Sequence, residues 1–375
     1  MEARRVHLRN SSAIERRAQE LADPIERLRY LRRATGFRRS SNSRKAWIAA
    51  FAIAMAIAAM RSNALSRRPV MSKAPSIKIA NPAEIPNVWP VEHTGDHDLY
   101  SNGLRIENEY AISHTPRSYR LIGRADLALG PQRSQPAGIV FHTTESDQVP
   151  FEPEHRTTLK RLGQELLLYV RNKRAYHFLI DRFGRVHRIV VESDSANHAG
   201  RSIWADSQWA YLDLNESFLG VAFEARMQPD QAILTEAQVG SAKALTEMLR
   251  AKYEIPSGNC VLHAQVSVNP ANWGIGLHTD WGSGFPFHEV GLPDNYTIPN
   301  PGVYLFGFEY DSAYTNATGP ELWKALEEAE DRVRQAAAEH GMTPAEYRKI
   351  LQQRYRSAIA SQQKTTDEEN QHESN

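Results

Sequence analysis

Two histidines close short apolar runs, where a strand hands a side chain to a cleft. Gly138-Ile139-Val140-Phe141-His142 and Cys260-Val261-Leu262-His263 are β-branched, aromatic and aliphatic segments that each end in His, the pattern of a buried strand giving way to a polar loop. A hydrolytic zinc centre needs three protein ligands from His or carboxylate, with a fourth position left for water, whose pKa the ion lowers toward neutrality. The stretch from Asn269 to Gly282 offers two candidates for the third place, His278 and Asp280. A lone Cys260 excludes a thiolate cage and an intrachain disulfide, so any ion is held by His and carboxylate. Taken singly, a histidine is more often a satisfied core residue than a ligand. Only the combination carries weight.

Six segments supply that combination in one order: Ile139 to Thr144, Tyr176 to Gly184, Asn197-His198-Ala199-Gly200, Asn215 to Val221, Leu262-His263-Ala264, and His278-Thr279-Asp280-Trp281-Gly282. Together they resemble the zinc-dependent N-acetylmuramoyl-L-alanine amidase domain of type 2, the family of phage lysozyme-type amidases and animal peptidoglycan recognition proteins, over residues 137–287. The resemblance implies a Zn2+ ion held by His142, His263 and Asp280, with His278 the other candidate for the third place. It makes Tyr176 a donor to the reacting carbonyl and puts His198 in the substrate cleft. Trp204, just beyond that motif, is suited to stacking on a muramoyl ring. Two positions depart from the family pattern. The Lys that commonly precedes the last ligand by two residues is His278 here, a donor to developing negative charge whose protonation varies with pH. The general-base Glu of one branch is Ala222. Glu224, two residues on and on the same side of a strand, and Glu145, three residues after His142 on a loop that faces substrate, are the carboxylates available for water activation.

The elements that must position these groups can be read from periodicity. Helical spacing runs from Thr158 to Val170, with Leu159, Leu162, Leu166, Leu167 and Val170 on one side. Tyr176–Asp181 and Val186–Val190 flank Arg182-Phe183-Gly184-Arg185 as a hairpin. Leu219–Glu224 is a further strand, and Thr235 opens a helix to Tyr253 that Pro256-Ser257-Gly258 ends. The order β, α, β, β, β, α, β gives an α/β fold with a mixed central sheet flanked by helices. Residues 99–129 read as irregular strands. Beyond Pro301 the chain turns helical: Glu321–Glu339 is charged and Ala-rich, and a Thr343…Glu346 capping box precedes Tyr347–Ile359. This pattern predicts a solvated helical extension with an unstructured polar tail of fifteen residues.

The chain has 375 residues, a net charge of +1, 41% hydrophobic and 24% charged residues, which excludes wholesale disorder and a polytopic membrane protein. The even balance hides an asymmetry: residues 1–45 carry 13 Lys/Arg against 5 Asp/Glu. Directly after them, Ala46 to Met60 is an apolar run of 15 residues bracketed by Lys45 and Arg61. That is short of the ~20 residues of a full span and fits a signal anchor or signal-peptide core. A membrane therefore explains the basic arm better than nucleic acid does. The expected organisation is a basic arm (1–45), membrane segment (46–60), linker (61–94), zinc amidase domain (95–300) and helical extension with tail (301–375). The expected place is the cell envelope, anchored to the inner membrane and facing outward, or secreted. The expected partners are peptidoglycan and its muropeptides. The expected reaction is hydrolysis of the amide between N-acetylmuramic acid and L-alanine; the alternatives are a peptidoglycan-binding module without turnover, or a zinc amidase acting on another amide. No feature fixes an oligomeric state.

Overall fold

The computed structural model describes residues 85–227 and 234–373, with side chains to residue 362. The basic arm, the apolar run 46–60 and most of the linker lie outside the described residues. Among those described, no helix is long and apolar enough to cross a membrane.

The described chain opens with β1 (Pro90–His93), β2 (His97–Tyr100) and β3 (Arg105–Glu107), then β4 (Tyr119–Gly123) and β5 (Leu129–Arg133). The metal-type strand β6 (Gly138–Thr143) follows, buried at all six positions. Helix α1 (Arg156–Lys173) buries Leu159, Leu167 and Val170, the last two in a cluster with Leu179 and Ala222. The expected hairpin is β7 (Phe178–Ile180) and β8 (Val186–Arg188), paired antiparallel. Next come β9 (Ile203–Ala205), β10 (Trp209–Leu212), the short turn α2 (Leu214–Ser217) and β11 (Phe218–Phe223). Helix α3 (Glu236–Tyr253) starts at a capping box in which Thr235 accepts from the Gln238 N–H, as its sequence requires. Then follow β12 (Cys260–Leu262), one helical turn α4 (His263–Val266), the small pair β13 (Val268–Asn269) and β14 (Gly274–Ile275), and four helices: α5 (Pro301–Phe306), α6 (Ser312–Ala317), α7 (Pro320–Glu339) and α8 (Pro344–Glu373).

The main sheet has the order β1-β2-β3-β8-β7-β11-β6-β12, and β5-β4-β10-β9 form a second sheet. At the centre β7, β11, β6 and β12 run parallel, with Ala222 opposite His142 and Leu262 opposite Phe141. That register brings the end of β12 level with the end of β6. The two histidines therefore emerge side by side at the carboxyl edge of adjacent parallel strands, where open α/β sheets present their ligand sites. β11 can run close beneath the 197–200 loop because residue 220 is glycine: a Cβ there would lie 2.5 Å from His198 Cγ.

Two expectations about the carboxyl-terminal part are corrected. The helices are not a solvated extension: Leu322, Leu326, Ala329, Val333 and Ala337 of α7 and Tyr347, Leu351 and Tyr355 of α8 join Phe141, Leu262, Trp281 and Phe285 in one buried cluster. Their charged face conceals an apolar stripe built largely from Ala and widely spaced Leu, which burial favours as much as longer side chains. The last fifteen residues are not without structure either, because α8 continues to Glu373. At the other end β3 pairs with β8, Ile106 opposite Val186, so the irregular stretch near residue 99 extends the main sheet.

Candidate metal centre

His142, the fifth residue of β6, is 1% exposed and lies on the α1 side of the sheet beside Ala222. His263 begins α4 immediately after β12 and is 5% exposed. Asp280 reaches both from the long connection after β14: its Oδ1 lies 2.8 Å from His263 Nδ1 and its Oδ2 3.3 Å from His142 Nδ1. The carboxylate is anchored from both sides in sequence. Its own carbonyl accepts from the Ala264 N–H at 3.1 Å, and the next residue, Trp281, is fully buried against Phe223 and Phe285.

One ligand atom from each of His142, His263 and Asp280 lies within 4.8 Å of the others. Two imidazoles and one carboxylate match the donor set of a catalytic zinc site. The electrostatics agree. Burial, then the neighbouring His263, lowers His142 to about 4, leaving a neutral ring able to ligate. Burial pushes Asp280 upward, but its hydrogen bonds with His142 and His263 outweigh that and hold it well below the usual carboxylate range.

Tyr176 places its ring 5.1 Å from that of His142. It does so with φ of 63°, a left-handed conformation that costs a non-glycine residue about 1–2 kcal/mol. The strain is held by Arg174 capping α1 before it and by buried His177 after it, whose Nδ1 accepts from the Gly220 N–H at 2.9 Å. Burial, then the charge of Asp280, raises the Tyr176 phenol far above its ordinary value, so it stays a donor. His278 is exposed and stacks on His263, centroids 4.5 Å apart with an 18° tilt. Its backbone N–H donates to Ser267 Oγ at 3.1 Å, and burial followed by His263 lowers its pKa. Its ring stacks on His263, whereas the Asp280 carboxylate reaches both His142 and His263, which makes Asp280 the third donor.

The other expected residues separate. Glu145 sits exposed on the loop after β6, φ 49°, accepting from Thr143 Oγ1 at 2.7 Å and the Met227 N–H at 3.0 Å. Glu224 turns to the β7–β8 hairpin, where Oε2 accepts from the Arg182 N–H at 3.2 Å. Burial raises its pKa. Trp204 is corrected outright: it is 1% exposed inside the core beneath the second sheet, with its indole N–H donated to Asn259 Oδ1 at 3.2 Å, and offers no face to a sugar. His198 is also no cleft residue; it is buried with Nδ1 3.1 Å from His142 Nε2. Sequence reasoning assigned no role to Asn215, whose Oδ1 accepts from the N–H groups of His198, Ala199 and Gly200. It missed Arg117 altogether. That buried guanidinium donates to the carbonyls of Glu192, Phe218 and Asp194, and only its lying in a weakly patterned stretch hid it.

The described geometry defines an α/β domain with a two-His, one-Asp site suited to a metal ion at the edge of its parallel strands. Residues 132–283 match the family model Amidase_2, N-acetylmuramoyl-L-alanine amidase. No curated protein sequence matches the chain. Among solved structures, the N-acetylmuramoyl-L-alanine amidase LysC from Clostridium intestinale URNW is 20% identical, with 49% of this chain and 93% of that one covered and a TM-score of 0.28. The amidase AmiD from E. coli, in complex with anhydro-N-acetylmuramic acid-L-Ala-D-gamma-Glu-L-Lys, is 19% identical, covering 54% and 92%, TM-score 0.34. AmpDh3 from Pseudomonas aeruginosa, in complex with anhydromuramic pentapeptide, is 19% identical, covering 51% and 82%, TM-score 0.34.

Proposed function

We propose that this domain hydrolyses the amide between the lactyl group of N-acetylmuramic acid and L-alanine in peptidoglycan, with Zn2+ held by His142, His263 and Asp280. The observation that carries the reading is the convergence of those three donors within 4.8 Å inside the segment that matches the amidase family. A bound zinc ion supplies Lewis-acid polarisation of the scissile carbonyl and activation of water at neutral pH. The protein's own groups do the rest. Neutral His142 at the end of β6, His263 just after β12 and ionised Asp280 on the connection after β14 present the three donor atoms. The Tyr176 phenol donates a hydrogen bond to the oxygen on which negative charge develops, and its strained backbone holds it there before substrate arrives. His278, exposed beside His263, lies at the rim as a second donor. Glu145, exposed on the loop directly after His142, takes the water-activating role in preference to Glu224, which is 5% exposed with its carboxylate turned to the β7–β8 hairpin.

The export segment 46–60 suits this substrate, because peptidoglycan lies outside the cytoplasmic membrane; we place the domain in the cell envelope, tethered or released by that segment. Deleting residues 46–60 should leave the chain in the cytosolic fraction, and unaltered localisation of the deletion variant would refute this placement. Purified protein should release stem peptides from peptidoglycan and lose that activity to a chelator. Hydrolysis unaffected by chelation would overturn the mechanism. A second reading, binding without turnover, is favoured by Ala222 at the general-base position and by the turned-away Glu224; saturable binding to peptidoglycan with no released peptide would establish it instead.

A further inference from the structure

The imidazole of His198 touches His142 on the side away from Asp280. His142 Nε2 is 3.1 Å from His198 Nδ1, and His198 Nε2 is 3.3 Å from the Phe218 carbonyl oxygen. That carbonyl can only accept, and its other lone pair takes Arg117 Nη1 at 3.2 Å. The proton of His198 therefore sits on Nε2, which leaves Nδ1 a bare acceptor. The proton between the two histidines must then come from His142 Nε2, so the opposite nitrogen, Nδ1, carries the free lone pair. That nitrogen faces the Asp280 carboxylate, which can also only accept, so this proton order belongs to the state in which a cation is shared by Nδ1 and Asp280 and replaces their hydrogen bond.

We propose that His198 is a positioning residue: through the Phe218 carbonyl it fixes the His142 tautomer, so that His142 keeps its proton on Nε2 and offers Nδ1 to a metal ion. The arrangement is built in from several directions. Asn215 Oδ1 pins the backbone of residues 198–200 by three N–H groups. Gly220 lets the ring pack against β11 where any Cβ would collide with it. Arg117, which lies before the segment matching the family, holds the Phe218 carbonyl in place. An outer partner of this kind orients a ligating imidazole and sharpens its basicity. The inference rests on the proposed function, because without a cation the Asp280 carboxylate competes for a proton on His142 Nδ1.

Nitrogen-15 NMR of the histidine-labelled full chain loaded with Zn2+ should show His198 protonated at Nε2 and bare at Nδ1. A proton on His198 Nδ1 in the Zn2+-loaded chain would overturn the relay. Competition titration with a chromogenic chelator then tests the consequence. His198→Leu, which keeps bulk but no acceptor, should weaken Zn2+ binding roughly 10–100-fold, and His198→Asn, which keeps an acceptor oxygen near the Nδ1 position, should recover most of that loss. Equal weakening in both variants, or none in either, would refute the positioning role. A wild-type chain that binds no Zn2+ would refute the proposed function itself, whereas a chain that binds Zn2+ with His198 protonated at Nδ1 would refute the positioning role alone.

Discussion

Replacing Leu326 with Ala is the sharpest test of whether the carboxyl-terminal helices belong to the amidase core. Leu326 is 1% exposed and shares a buried cluster with Phe141 of β6 and Trp281, the neighbour of Asp280. Truncation removes about three carbons at roughly 0.8 kcal/mol each, ~2.4 kcal/mol in transfer alone. The cavity left in a well-packed interior brings the usual range to about 2–5 kcal/mol. At roughly 2 °C per kcal/mol for a domain of this size, Tm should fall by about 4–10 °C in a single transition. Leu168→Ala on α1, where the side chain is 51% exposed, is the control and should change stability by no more than about 0.5 kcal/mol. Differential scanning calorimetry reads both. A Leu326→Ala shift as small as that of Leu168→Ala would show the helices to be an appendage and refute the shared core.

Tyr176→Phe should lower kcat roughly 10²–10³-fold, as loss of one oxyanion donor does, with KM nearly constant; steady-state kinetics showing a change confined to KM would remove Tyr176 from the chemistry. Arg188 donates to Asp98 Oδ2 at 2.8 Å and Glu192 Oε2 at 2.9 Å in the interior, so Arg188→Ala strands two buried carboxylates and should cost about 3–5 kcal/mol in urea unfolding. A loss under about 1 kcal/mol would show the network to be solvated. Burial alone would raise Glu192, but the charge of Arg188 keeps it below the ordinary glutamate value; its contribution is therefore complete above the ordinary carboxylate range and is lost as pH falls through the folded value, so acid should destabilise wild type more than Arg188→Ala. Trp204→Ala should lower Tm strongly while leaving KM for peptidoglycan fragments within error, because the indole is walled into the core; a selective rise in KM with unchanged Tm would restore it to the cleft.

The central part of the fold was legible because its strands are nearly uninterrupted apolar runs and its helix starts carry caps. β6, the β7–β8 hairpin, β11, α3 and β12 all appear where periodicity and turn residues put them. His142 and His263 were readable for the same reason: each closes such a run. What failed depended on contacts between distant segments. Trp204 and His198 stand in a polar, Gly-containing stretch that resembles a surface loop, yet Asn215 and Gly220 fold that stretch inward. The sharing of a core between α7, α8 and Trp281 left no mark in sequence beyond small residues four apart on a charged helix. The short strands β1 to β5 are half-exposed and stabilised by pairing, a non-local term that composition does not report.

The proposed hydrolysis depends on three side chains, His142, His263 and Asp280, gripping one ion. Metal analysis of the purified wild-type chain beside Asp280→Ala and His278→Ala tests this most directly. Stoichiometric zinc in wild type and His278→Ala with loss in Asp280→Ala is the predicted pattern. Zinc retained by Asp280→Ala, or lost only from His278→Ala, would contradict it.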